Sequence, residues 1–302
     1  MIRVTDGAIK YSTLRGLEEN NSKLQALNEQ MSTGRQITKP SDDPSGTVRA
    51  LQLRADLKRN TQYAASAGDA LGWMSTADST YTQLVTISQK ARTLTVQALN
   101  SGASTGDSNS AIGDEIDAIR SQMVSLANTT YNGRPIFGGT TTSTTAYTDN
   151  GDGTVSYNGD SGTVMRQVGD TTTVQINQNG PDVFGDNTAG TSVFDVLQNI
   201  SNKLHDPTTY GQITGSDLDA IDAAVRTIST AQAKEGATYN RVTTSQAAQT
   251  TTTLALTSEL SDIQDIDIAK QAVLVSTANV NYQAALQTTA NIRQISLLDF
   301  LK

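Results

Sequence analysis

The feature that most constrains this chain is a run of apolar residues that keeps helical spacing for longer than a compact domain can use. From Leu71, the residues Met74, Ala77, Tyr81, Leu84, Ile87, Ala91, Leu94 and Ala98 follow at steps of three or four. This places them on one face of a helix. The pattern is helical over residues 47–100, a span of roughly 80 Å at about 1.5 Å per residue if unbroken. A bend or break, if the helix has one, would fall at Gly68 or Gly72, since glycine is a poor helix former. Such a helix needs equally long partners, and the sequence supplies them.

A shorter stripe precedes it over residues 12–31, where Leu14, Leu17, Leu24, Leu27 and Met31 step in coiled-coil fashion and Asn21 interrupts. A third helical pattern, Ile112, Ile116, Ile119, Met123 and Leu126, follows a polar turn at residues 101–107. With so short a connection it is expected to fold back antiparallel on the long helix. Helical spacing returns after Ser192, with Val193, Val196, Ile200 and Leu204 on one face. A second very long helix then starts near a Ser216–Asp219 capping box. Its stripe is Leu218, Ile221, Val225, Ile228, Ala231, Val242, Leu256 and Ile263. The last helix runs over residues 267–302, with Ile268, Val275 and Tyr282 seven apart, as are Ala278, Ala285 and Ile292, and with Leu298 near its end.

Between the helical regions the texture changes. Residues 140–148 are Thr-rich, and three short β-like runs follow at 154–158, 163–168 and 171–177. Asn158-Gly159, Ser161-Gly162 and Gly169-Asp170 read as hairpin turns. The expected fold is therefore mainly α with an inserted β domain, a long helical rod built from both chain ends. Its division would be residues 1–45 and 270–302 as paired terminal coiled-coil segments, 46–137 and 191–269 as the rod, and 138–190 as an inserted β-rich unit.

The chemistry of an active site is hard to assemble from this chain. With one His and no Cys there is neither a nucleophile–His–acid set nor a thiolate metal site. His205 lies at a helix end and reads as a surface residue. The segment 149–153 looks superficially like a calcium loop but lacks the ligand order of one, and reads as a turn. Asp262, Asp265 and Asp267 read as helix-start caps. The net charge of −8 argues against nucleic acid and against an anionic membrane surface as partners. No cofactor, metal or catalytic residue is expected. The first six residues, Met1 to Asp6, lack the apolar core of a secretory signal, so export, if it occurs, would be by a route without a cleavable signal.

Between the first stripe and the long helix lies a connector, residues 32–49, in which Gly34, Arg35, Pro40, Asp42, Asp43 and Pro44 stand out. Its glycines and prolines stop one helix and start the next, and its aspartates suit orphan amides at the second start. The order Ser-Thr-Gly-Arg, then Pro-Ser-Asp-Asp-Pro, then Arg-Ala-Leu-Gln-Leu-Arg resembles the N-terminal signature of flagellins and flagellin-like hook-associated proteins. The Pro-Ser-Asp-Asp-Pro version is more similar to the hook-associated members than to filament flagellin. Residues 127–140 resemble the family's exit into its outer domain, 157–184 resemble a hook-associated β domain, and 271–301 the terminal helix. The resemblance implies a structural subunit of the bacterial flagellum, exported without a cleavable signal, that joins the hook side to the filament, or, as the alternative, filament flagellin itself. It further implies hook-associated protein 1, flagellin, further copies of the chain in a ring, and a cytosolic export chaperone as partners, with the stripes named above as assembly faces.

Overall fold

The computed structural model describes residues 6–100, 106–186, 190–206, 208 and 212–300. Seven helices occur among them: α1 (Asp6–Thr33), α2 (Pro44–Asn100), α3 (Gly106–Ala127), α4 (Gly180–Phe184), α5 (Val193–His205), α6 (Gly215–Gln264) and α7 (Ile268–Phe300). The strands pair as three two-stranded antiparallel hairpins: β1 (Thr130–Tyr131) with β2 (Arg134–Pro135), β3 (Tyr147–Asp149) with β4 (Val155–Tyr157), and β5 (Met165–Gln167) with β6 (Thr173–Gln175). The chain is thus mainly helical with a small β region in its middle. It divides into two compact units, Met1–Arg59 with Thr252–Lys302, and Asn60–Thr251. The cuts fall inside α2 and α6.

In the Asn60–Thr251 unit, α2 is continuous through Gly68 and Gly72. Gly72 has a packing reason, since a Cβ there would collide with the ring of Tyr131. Trp73 meets that same ring edge-on at 5.9 Å. Lys90 pairs with Glu115 further up the helix, so α3 runs antiparallel to α2 as expected. Helix α6 is antiparallel to α2 as well: Arg92 pairs with Asp222, Gln232 reaches Asp78, and Asn60 donates to the Gln249 carbonyl.

Many hydroxyl side chains of these helices hydrogen-bond back to the helix itself. Thr80, Ser88 and Thr95 are buried, and each hydroxyl donates to the carbonyl four residues earlier. A hydroxyl satisfied this way can sit in a helix–helix contact without an unmet donor. Thr250 and Thr251 do the same, which carries α6 through its Thr run.

The hairpins differ in part from the sequence expectation. The turn at 149–153 is a hairpin turn, but its first strand, Tyr147–Asp149, lies in what reads as a Thr-rich linker. Asn158-Gly159 and Ser161-Gly162 close no hairpin, since β4 pairs backward with β3 and β5 pairs forward with β6 across Gly169-Asp170. Asn132-Gly133 closes the smallest hairpin, with φ of 49° and 76°, the signature of a tight turn with both central residues left-handed.

The segment 138–190 shares its core with the helices of the Asn60–Thr251 unit. Phe137, Tyr147, Phe184 and Phe194 form one aromatic cluster with neighbouring centroids 5.1–5.3 Å apart, and Tyr81 of α2 joins through Phe137. The start of α6 also lies elsewhere than expected: Asp217, not Asp219, takes the backbone N–H of its cap residue Thr214 at 2.8 Å. Helix α5 begins with a full capping box between Ser192 and Asp195.

His205 lies against α3 over Gly113, with Nε2 3.3 Å from Asp117 and Nδ1 3.4 Å from Ser110. Asp149 accepts two hydrogen bonds from Arg120 at 3.0 and 3.3 Å. Among the described residues no group of three His, Cys, Asp or Glu is placed to hold a metal ion, and no helix is long and apolar enough to cross a membrane.

Candidate assembly site

The connector and both terminal helices belong to one compact unit, Met1–Arg59 with Thr252–Lys302. Helix α1 ends at Thr33, and Gly34 follows with φ of 70°, its N–H returning to the Gln30 carbonyl at 2.9 Å. Glycine suits this left-handed stop because it has no Cβ to strain. Arg35 then forms an antiparallel bridge with Asp265, in the short gap between α6 and α7. Gln36 N–H donates to the Gln264 carbonyl at 2.6 Å, and Ile266 N–H to the Gly34 carbonyl at 3.0 Å. The end of α1 and the start of α7 are thereby fixed at the same point, and the two helices pack antiparallel.

Three glutamines complete this clasp, and sequence reading passes over all of them. Gln30 Nε2 donates to the Gln36 carbonyl at 2.9 Å, while Gln30 Oε1 accepts from Gln271 Nε2 at 3.0 Å. Gln271 also reaches the Leu27 carbonyl, and both Gln271 and Gln264 are buried. The one available signal is register: Gln271 lies seven residues before Ala278, on the inward face of α7.

Each connector aspartate has a separate task. Lys39-Pro40-Ser41-Asp42 is a turn closed by Asp42 N–H on the Lys39 carbonyl, with Pro40 at its second position. Asp42 Oδ2 accepts from the Thr38 and Lys39 amides and from the Thr38 hydroxyl. Asp43 caps α2, its Oδ1 accepting from the Ser45 and Gly46 amides, and Pro44 occupies the first helical position. Hydrogen bonds from backbone and hydroxyl donors hold both carboxyls below the usual aspartate range. Asp267 caps α7 in the same way, accepting from the Ala269 and Lys270 amides.

The stripes divide between inward and outward faces. Leu17, Leu24 and Leu27 are half-buried on α1, and Val275, Ala278, Tyr282 and Ala285 are buried or half-buried on α7. Leu14 and Met31 are exposed, at 50% and 39%. The side chains of Ile292 and Leu298 lie outside those the structure describes. Helix α7 also carries an apolar face turned to solvent, with Val273 and Val280 more than 60% exposed and Leu274 and Leu286 at 42%.

The helical segments match two family models: residues 5–142 the N-terminal helical region of bacterial flagellin, and residues 218–301 its C-terminal helical region. This chain belongs to the bacterial flagellin family. Within it, the chain is 25% identical to the flagellar hook-associated protein 3 of Escherichia coli over the whole of both. It is 31% identical to the Salmonella typhimurium protein of the same name over 61% of this chain, which spans 57% of that protein. It is also 27% identical to the flagellin of Bacillus subtilis over the whole of both. The crystal structure of hook-associated protein-3 from Legionella pneumophila shares the fold, with a TM-score of 0.63 over 70% of this chain and 98% of that one at 16% identity. The family models thus cover the helical regions at both ends of the chain, and the relatives named here are flagellar proteins.

Proposed function

We propose that this flagellar protein is the subunit that joins hook to filament, meeting hook-associated protein 1 on one side and flagellin on the other. Its role on this reading is mechanical and not enzymatic. Both hook-associated proteins 3 and a flagellin align with it, and the Pro40–Pro44 turn-and-cap together with the three-hairpin segment favours the junction role over filament flagellin. The outward apolar face of α7 supports the reading, because exposed rows of Val and Leu on a helix call for a covering partner. Further copies of the chain in a ring would supply that cover.

On this reading α1 and α7 complete their packing on assembly, and the segments 1–45 and 270–302 act as terminal coiled-coil elements distinct from residues 46–137 and 191–269. A cytosolic export chaperone would shield the apolar face of α7 before the subunit leaves the cell for the external flagellum. The connector residues Gly34, Arg35, Pro40, Asp42, Asp43 and Pro44 would hold the joint at which these segments meet.

Deleting the protein tests the assignment. Cells should retain hooks, lack filaments and release flagellin monomer into the medium. Full filaments on the deletion strain would show that the chain is not the junction. Amide exchange on the dilute subunit tests the ordering step: exchange should be fast along α1 and α7 and slow in α2 beyond Asn60.

A further inference from the structure

Helix α6 presents a core position every seven residues, and one of them is a carboxylate. Ile221, Ile228 and Val242 are buried in this register, and the remaining member is Glu235, only 5% exposed. Its Oε2 receives a long hydrogen bond of 3.4 Å from Gln178 Nε2, an amide already committed to the Ala231 carbonyl at 2.7 Å. Its Oε1 is buried and has no hydrogen-bond partner. Buried carboxyl oxygens are rarely left without a donor.

Glu235 lines a pocket of about 340 Å³ within the Asn60–Thr251 unit, between α2 and α6. Met74, Ser75 and Asp78 line it from α2, and Tyr239 and Asn240 from α6. Asp78 is the second carboxylate here, held at Oδ1 by the Gln232 amide at 3.3 Å. Among the described residues no basic side chain lines this pocket; Arg226 and Lys234 of α6 line a different one with Gln178 and Asp182.

We propose that this pocket binds an organic cation, a primary ammonium or guanidinium group, with Glu235 and Asp78 as its paired acceptors. Ser75 and Asn240 offer further hydrogen-bond acceptors for a multi-donor head. The half-exposed Tyr239 ring supplies apolar surface for an alkyl stem, as long cationic side chains require. A bare metal ion fits less well, because two carboxylates without a third such ligand leave most of a coordination shell to water. The cation could be a Lys or Arg side chain of a second copy of this chain or a free diamine-like molecule, and the chemistry is the same.

Burial, with a minor contribution from Asp78, holds the Glu235 carboxyl protonated up to about pH 7. A cation that enters displaces that proton, so its binding is linked to proton release.

Agmatine, which stays cationic throughout, is the probe. Titrated calorimetrically into the full chain at constant ionic strength, it should bind saturably and about tenfold more tightly near pH 8 than near pH 6. Glu235→Gln, nearly isosteric, should abolish binding, and Asp78→Asn, on the exposed side of the pocket, should weaken it while leaving the fold intact. If Glu235→Gln does not fold, Asp78→Asn and the pH dependence carry the test. No saturable binding to the wild-type chain, or equal binding by Glu235→Gln, overturns the proposal. Sedimentation without and with agmatine then identifies the source: self-association that agmatine disperses assigns a basic side chain of a second copy, and a monomer throughout assigns a free organic cation.

Discussion

Arg35 and Asp265 face each other across a single antiparallel bridge that fastens the end of α1 to the gap between α6 and α7. The two flanking backbone bonds, Gln36 to Gln264 and Ile266 to Gly34, make this the closely spaced, non-hydrogen-bonded kind of pair. A bridge of one residue pair is weak alone, so its geometry depends on what sets the backbone on either side. On one side that is Gly34.

Gly34→Ala isolates this dependence. A Cβ at Gly34 would meet nothing within 4 Å, so the only cost is the left-handed backbone at φ of 70°. The expected destabilisation is about 1–2 kcal/mol. Its signature is local: exchange at the Ile266 and Gln36 amides should quicken, while helical circular dichroism is unchanged. An unaltered Ile266 exchange rate would show that the bridge does not rely on this glycine.

The caps give the joint a pH dependence. Asp42 and Asp43 have folded-state pKa values below the ordinary aspartate range, so the unfolded chain takes up protons first as pH falls. Their contribution is complete above about pH 4 and is lost as pH drops through the lower folded values. Amide shifts of Thr38, Lys39, Ser45 and Gly46 should therefore move together only in acid. Asp43→Ala should lower the melting temperature at neutral pH, and Asp43→Ser, another good cap, should restore most of it. Gly46→Ala should be worse than its helix propensity suggests, because its Cβ would strike the Asp43 carboxylate and lie 2.8 Å from the Ile37 δ-methyl.

Helices α1, α2, α6 and α7 are legible in the sequence because each repeats one physical signal many times. Leu71 to Ala98 names a face nine times over, so one ambiguous residue changes nothing. The hairpins depend on two or three residues each. Tyr147–Asp149 is hidden at the end of a Thr run, and what makes it a strand is long-range: Tyr147 packs on Tyr157 at 5.1 Å and on Phe194 at 5.2 Å. In the connector, Asp43, Pro44 and Gly34 act on their immediate neighbours, and local cap chemistry reveals them. Gln30, Gln264 and Gln271 act across the chain, and a polar residue on a coiled-coil face looks only like an interruption. Glu235 is missed for the same reason, since the α6 stripe passes from Ala231 to Val242 without it.

The two faces of α7 differ in what covers them. Ala278 is 8% exposed toward α1, whereas Val280 is 62% exposed. Val280→Asp should leave the stability of the isolated chain within about 0.5 kcal/mol, as surface changes usually do. The same variant should impair assembly, read as loss of filaments in a complemented deletion strain. Ala278→Asp places a charge in the α1–α7 contact and should impair assembly as well, because it opposes the pairing that assembly completes. Normal filaments on cells carrying Val280→Asp would show that this face is not covered in the assembled flagellum.

Glu235 sets a second pH dependence, opposite in sign to that of the caps. Its pKa is raised from 4.5 to about 7 by burial, so between these values the folded chain holds a proton that the unfolded chain has lost. Stability is complete below about pH 4.5, declines as pH rises to about 7, and is level beyond. A shift of this size corresponds to a loss on the order of 3 kcal/mol. Glu235→Gln cannot ionise and keeps the side chain's shape, so its stability should stay level across the same window. The two chains should have similar denaturation midpoints near pH 4.5, and the variant should be the more stable above pH 7. Parallel profiles for wild type and variant would place the ionisation elsewhere. Because agmatine should stabilise only the ionised wild type, adding it above pH 7 should narrow the gap between the two.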